Sequence, residues 1–573
     1  MADTLVFDMS KSDEGEPSVF VRKDWLSILD NQNQNYTGNQ SVIDTSQLSN
    51  SNKYMNYRES YILLPLLLTL TNDSATPTST VDPTSAAGSC DYALGLKNWY
   101  GQIVHSMTVD YQGTTIVQQT PFANLWNCFK LNTTLCYDDV INQGPSIGFF
   151  LDNAISVNYT SGNNTNAISG TTANNNVQGA FTVVNQALNS YDTFNEGLLK
   201  RTQYWNFDLD ASTDIAANSA TYSSLISASQ TNQVWKSYIF NKVAGVATSK
   251  SMVWQSAITA QIYLRQLHPF FDSVPLLKGV FLKLTLNFNQ CSVNFTTTGA
   301  TAGSQTFSAV TVTSPLGGTN PIMISSTTSG ARPLIANGYI ASIAVGAKVL
   351  NSTQSALGAI SAPLSPSIIL NVPSYTFNPV FESAYLADPV KKVVYTDLYQ
   401  YQIVNQITAG GTFNNLITNG IADIKSVLVL PYYSKASNGN IIPIQSPFDP
   451  ASSTTSPLVL FNQFNVQVSG QNAIYNTERY AFEQFLNQLH GQTGSVNGGL
   501  TDGESSGLVG QLAFETCYNY YYVNCGRMLP VEQSVPKSVN VLGTLSGSVP
   551  IDMYIFVEYG VSVAIDILSG ARV

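Results

Sequence analysis

Three histidines, His105, His268 and His490, stand alone in 573 residues, with no pair spaced to put two metal ligands on one strand or one helix. A strand-borne site needs an HxH pair and a helix-borne one an HExxH, because those spacings place two imidazoles on one face. Neither occurs. The six cysteines, Cys90, Cys128, Cys136, Cys291, Cys517 and Cys525, include no CxxC pair, the usual way a zinc site presents its thiolates. They read as free thiols of a reducing compartment, with a Cys128–Cys136 or Cys517–Cys525 disulfide as the alternative. No GxSxG elbow and no GxxxxGKS/T phosphate loop is present. Among 36 Asp and Glu residues a carboxylate pair for glycoside hydrolysis can be drawn almost anywhere, so no pair has a claim over another. Tyr518-Asn-Tyr-Tyr-Tyr522 offers aromatic faces for sugars or bases, but a strand wedged between two buried surfaces accounts for the same residues. The sequence thus nominates no catalytic residue, no metal ligand and no cofactor, and the expectation is a protein that is not an enzyme.

Charged residues make up 11% of the chain, against roughly 25% in an average soluble protein. Polar uncharged residues and 30 tyrosines take their place, a mixture that favours strands and turns over exposed helices. Such a surface repels its neighbours weakly and suits side-by-side association; a β-protein with polar loops is the plainer alternative. The net charge is −11 and the basic runs are no longer than pairs such as Lys200-Arg201 and Lys391-Lys392. Wrapping a genome requires clustered cations that release phosphate counterions, so direct sequence-specific nucleic-acid binding is not expected. Met1 to Pro17 is acidic and lacks an apolar signal core. The longest apolar stretch, Tyr61 to Leu70, is about half the roughly 20 residues a membrane helix requires and contains Pro65. It reads as a buried strand, and no transmembrane segment is expected.

The elements that would position any site are strands. Phe281–Phe288 alternates cleanly, Ser367–Phe377 more loosely, and Pro550–Ile565 reads as one long strand with Gly560 placed where a bulge could bend it. Amphipathic helices of ten or more residues, which would alternate with strands in a parallel α/β fold, are almost absent. Two helical stripes exist. Thr120 is expected to cap the first, with Pro121 at its first position and Phe122, Leu125, Trp126 and Phe129 on one face. Thr477 is expected to cap the second, with Phe482, Phe485, Leu486 and Leu489 as its stripe. Each follows the same signal, an alternating strand and a glycine turn: Met107 to Gly113, then Phe464 to Gly470. Two further landmarks repeat in the same order. The proline-broken run Tyr61–Leu68 is answered by Val427–Tyr433, and Pro269–Pro275 by Pro530–Pro536. The separation between copies shrinks along the chain, so this is no fixed-period solenoid. It is one β-barrel domain written twice, with insertions in the first copy near 153–233 and 296–337. The first is rich in Asn, Ser, Thr and Ala, the second in Thr, Ser and Gly, and both read as loops.

Tandem barrels, a glycine hairpin and helix in each, the strand–turn–strand segment Ile262 to Phe288 and the closing strands Met553 to Ile567 together resemble the double jelly-roll major capsid proteins. The virophage and polinton-like virus branch is the nearest in character. The resemblance implies an all-β fold of two consecutive eight-stranded antiparallel jelly-roll barrels with short helices and long loop insertions in the first, residues 1–388 and 389–573. It implies a structural protein whose homotrimer is a pseudo-hexagonal capsomer, tiling an icosahedral virus shell beside neighbouring capsomers, penton and minor capsid proteins. The location implied is the virion, with assembly inside the infected host cell and the first-barrel loops as outer towers. A non-enzymatic β-rich viral adhesin or receptor-binding spike is the second reading, and an enzyme on a jelly-roll scaffold the third.

Overall fold

The computed structural model describes residues 18–48, 51–72, 92–150, 181–184, 201, 252–278, 282–298, 304–317, 319–326, 337–346, 367–408, 410–433, 460–474, 480–493, 506–516, 518, 520–525, 533–546 and 550–567. Sixteen strands build two barrels. The first holds β1 (Phe20–Leu29), β2 (Gln40–Asp44), β3 (Tyr61–Asn72), β4 (Val104–Tyr111), β5 (Thr114–Val117), β6 (Met252–Tyr263), β7 (Leu282–Phe288) and β8 (Ile369–Phe377). The second holds β9 (Val390–Ile407), β10 (Thr412–Ile421), β11 (Ile424–Tyr433), β12 (Phe461–Val468), β13 (Gln471–Asn472), β14 (Tyr521–Asn524), β15 (Lys537–Leu545) and β16 (Ile551–Asp566). In the first barrel the sheets run β1-β8-β3-β6 and β2-β7-β4-β5; in the second they run β9-β16-β11-β14 and β10-β15-β12-β13. Adding eight to each strand of the first barrel gives the second. Every pairing is antiparallel, and this strand order is that of the jelly roll.

The pleat explains the sequence pattern. In β7, Leu282, Leu284, Leu286 and Phe288 are fully buried while Lys283 is exposed, because alternate side chains meet the core and the outside. β16 breaks that rule: every residue from Ile551 to Val557 is buried. Both of its faces are covered, which is why its apolar run shows no alternation. The bulge expected at Gly560 lies instead on the partner strand, where the β11 register slips between Ile424 and Ser426. Gly560 leaves the room this needs, since a Cβ there would sit 1.9 Å from Asp423 Oδ2.

Both landmark prolines lie on equivalent strands, β3 and β11, but on opposite faces. Leu64 and Leu66 point into the first core, so Pro65 points outward, whereas Pro431 shares its face with core-facing Val427 and Val429. Each proline sits where a neighbour has stopped. β8 pairs with β3 only through Leu63, and Asn337–Val345 takes over at Leu66; β14 pairs with β11 only through Val429. A missing N–H costs least at such gaps.

The insertion near 296–337 is not all loop. It contains strands Ser304–Thr313 and Ile322–Ser326, and Cys291–Thr298 runs into it. Cys291–Thr298, Ser304–Thr313 and Asn337–Val345 pair with one another and extend the first sheet from the distal half of β3. Their Thr and Ser content looked like loop, yet Thr is β-branched and pairs well in a polar strand. Of the insertion near 153–233, only strand Phe181–Val184 and Arg201 are described. Arg201 is buried and donates to the carbonyl oxygens of Leu96 and Phe150. The second copy of the Pro269–Pro275 landmark lies outside the described residues as far as Glu532. No described helix is long and apolar enough to cross a membrane.

Candidate functional site: the seam between the barrels

Helix α1 (Ala123–Thr134) leaves the first barrel after hairpin β4–β5 and packs into the second. Leu125, Trp126 and Phe129 belong to the second barrel's core cluster. Trp126 meets Phe556 at 6.1 Å between ring centroids, Phe129 stacks on Tyr522 at 5.3 Å, and Phe122 meets Tyr554 edge-on at 4.8 Å. Tyr554, Phe556 and Tyr522 lie on the outer face of sheet β9-β16-β11-β14. The inner face carries Tyr521, which packs on Phe461 of the opposing sheet at 4.6 Å. The helix from one barrel is therefore the outer cover of the other.

The exchange is reciprocal. The far end of the β9–β16 ladder, Val393, Tyr395, Val563 and Ile565, belongs to the first barrel's core cluster, while Ile403, Met553 and Ile555 at the near end belong to the second. Tyr395 donates its hydroxyl proton to the carbonyl of Ile116, and Thr120 donates to the carbonyl of Leu398. That contact replaces the capping role expected of Thr120. The helix begins at Ala123 after Phe122, which has φ 57° and makes no side-chain cap bond. Thr477 lies outside the described residues. The second-barrel counterpart, α2 (Phe482–Thr493), starts at Phe482 and buries Phe485 and Leu489, with Leu486 half-buried.

Polar groups fix the register of the seam. His268 Nδ1 accepts from the backbone N–H of Phe270, which leaves Nε2 to donate to Asp397 Oδ1 at 3.3 Å. Asn132 donates to the Tyr520 hydroxyl at 3.0 Å. Lys130 Nζ lies 3.9 Å from Glu558 Oε1, whose other oxygen accepts from Ser426. Burial holds the Lys130 ammonium below its ordinary pKa, and Glu558 opposes that shift. His105 is buried edge-on against Phe122 with no partner for Nδ1 among the described residues, and burial lowers its pKa to about 4. His490 lies in α2 with its side chain outside the described residues. The histidines are thus placed in separate settings, and no group of three or more His, Cys, Asp or Glu among the described residues could hold a metal ion.

Cys128, Cys136, Cys291 and Cys525 are thiols outside any disulfide, so Cys128 and Cys136 are not bridged; Cys90 and Cys517 lie outside the described residues. Burial pushes the Cys291 and Cys525 thiols up to about 12, which keeps them protonated and unreactive. Tyr518, Tyr520, Tyr521 and Tyr522 are all buried. They form the wedge, not a stacking platform. Sequence reasoning found α1 but not its destination. The signal was the unbroken apolar run of β16, which needs a cover on both faces.

Two jelly rolls with one strand order, joined through an exchanged helix and an exchanged ladder, make this chain a double jelly-roll protein. It is similar in fold to viral capsid proteins: the Sputnik virophage structure (12% identity over 98% of this chain and 90% of that chain, TM-score 0.49), the Faustovirus major capsid protein (11%, 96% and 92%, 0.42) and the mavirus major capsid protein (9%, 99% and 93%, 0.40). No family model matches the sequence. No curated protein matches it either.

Proposed function

We infer that this chain is a viral major capsid protein, a structural protein whose trimer forms a pseudo-hexagonal capsomer of an icosahedral shell. The observation that carries the reading is the strand-for-strand repetition of one barrel, locked by the seam into a single body. A chain with two near-equivalent lobes reaches six near-equivalent corners with three copies, so a trimer fills a hexagonal tile. Fivefold positions cannot be filled by such a tile and call for a separate penton protein. The partners are two further copies, neighbouring capsomers, and penton and minor capsid proteins; the net charge of −11 leaves genome contact to other proteins. The place of action is the virion, after assembly in the infected cell.

Negative-stain microscopy and sedimentation velocity of the expressed protein test this. Hexagonal trimers burying well over about 2,000 Å² per interface are expected, the scale of permanent assemblies. A stable monomer at micromolar concentration would overturn the reading, and elongated stalks would turn it toward a receptor-binding spike.

A further inference from the structure

An asparagine followed by glycine can attack itself, because a glycine nitrogen has no side chain beside it to block approach to the preceding amide carbon. The pair occurs four times, at Asn337-Gly338, Asn419-Gly420, Asn438-Gly439 and Asn497-Gly498. The last two lie outside the described residues. The other two stand in different settings. Asn337 and Gly338 open strand Asn337–Val345, which lies between two neighbours, and they sit in ladder register opposite Thr297 and Thr296. Asn419 and Gly420 lie near the end of β10, the edge strand of sheet β10-β15-β12-β13. There the ladder pairs Thr418 with Val539 and Ile421 with Lys537, so both residues stand opposite Ser538 alone. That is a bulge, whose extra residue is left without a ladder partner. Both residues are exposed, and a Cβ on Gly420 would meet nothing within 4 Å. The Gly420 N–H reaches the Thr418 hydroxyl at 3.4 Å, too long for a firm N–H···O bond.

We propose that Asn419 is a site of spontaneous deamidation, in which Gly420 supplies the nucleophile and water the incoming oxygen. The Gly420 nitrogen bonds to Asn419 Cγ while the Cγ–Nδ2 bond breaks, and Nδ2 leaves as ammonia with the Gly420 amide proton. Water then opens the cyclic imide. Addition at Cγ gives aspartate. Addition at the main-chain carbonyl carbon routes the chain through the side chain and gives isoaspartate, with one more backbone carbon. Nothing is oxidised or reduced. Each event adds one negative charge to the net −11. The edge position matters twice. The bulge lets the backbone reach the imide geometry, which a paired strand opposes, and among the described residues the lengthened backbone has no outer neighbour to displace. β10 thus records the age of the folded chain as charge, whether or not that chain is a capsomer subunit.

The full chain, held at mildly alkaline pH and digested at intervals, tests this by peptide mass spectrometry. The Asn419 peptide should gain one dalton and split into two chromatographic forms. One of them should accept a methyl group from S-adenosylmethionine through an isoaspartyl methyltransferase. The Asn337 peptide of the same sample should react several-fold more slowly, and the two rates should converge in urea, where no ladder survives. Gly420→Val, which the open space accommodates, should slow the Asn419 reaction several-fold. A folded chain in which Asn337 reacts as fast as Asn419, or rates that stay apart in urea, would show that the bulge does not direct the reaction. Ammonia lost from Gly420→Val at the wild-type rate would mean direct hydrolysis and overturn the role of Gly420.

Discussion

Gln112-Gly113 and Ser469-Gly470 close their hairpins with φ of 49° and 81° in the first and 51° and 81° in the second. Positive φ at both central positions is the type I′ turn, whose twist matches that of the strands it joins. A Cβ at either glycine would meet nothing within 4 Å, so conformation alone demands glycine there. Gly113→Ala and Gly470→Ala should each cost about 1–2 kcal/mol, and nearly the same amount, in urea unfolding. Gln112→Asn and Ser469→Asn should instead stabilise, because Asn tolerates the left-handed region. His105 carries the clearest pH dependence at this scale. Its folded pKa of about 4 lies below the ordinary 6.5, so the unfolded chain binds the extra proton between those values. Its contribution is complete above pH 6.5 and falls as pH drops toward 4. Between pH 7.5 and 4.5 wild type should lose about 2–3 kcal/mol relative to His105→Leu. Parallel stability–pH curves for the two proteins would refute the assignment.

At the scale of elements, α1 and β16 explain each other. A helix with buried side chains around most of its circumference, Asn124 through Phe129, must be enclosed, and a strand buried on both faces must be covered. Trp126→Ala should cost about 3–5 kcal/mol, the range for removing a buried aromatic side chain. Because the tryptophan bridges two cores, calorimetry should also show the single unfolding transition of wild type splitting in two. A loss confined to one unsplit transition would mean that α1 is only a local cover. Much of this was legible in the residues. The glycine hairpins, the alternation of Leu282–Phe288, the long closing strand and the duplication itself are local periodicities that a sequence displays directly. The destination of α1 was not, because a helical stripe shows that a face is buried and not against what. Thr120 misled for a related reason: a good capping residue followed by proline was used instead to reach Leu398 across the seam. Strand Ser304–Thr313 was hidden by composition, since threonine serves loops and polar strands equally.

At the scale of the molecule, each barrel is incomplete without the other. The second lacks an outer cover on Leu428, Tyr522, Tyr554 and Phe556 unless α1 is present, and the first lacks Val393, Tyr395, Val563 and Ile565 at its core. These eight side chains lie at 5% exposure or less in the whole chain. Exposing a contiguous aromatic face of this kind exceeds what soluble monomers tolerate. We therefore expect residues 389–573, expressed alone, to aggregate or to lack near-UV ellipticity, although the sheets β9-β16-β11-β14 and β10-β15-β12-β13 are contained within them. Adding a peptide of residues 118–136 in trans should restore solubility and the near-UV signal, and the Trp126→Ala form of that peptide should not. A soluble, well-packed second barrel without the peptide would show that the repeats are autonomous domains resting against each other. The distinction bears on the capsomer proposed above: a seam that is part of both cores cannot hinge, so a shell assembled as proposed would take up its curvature between chains and not within them.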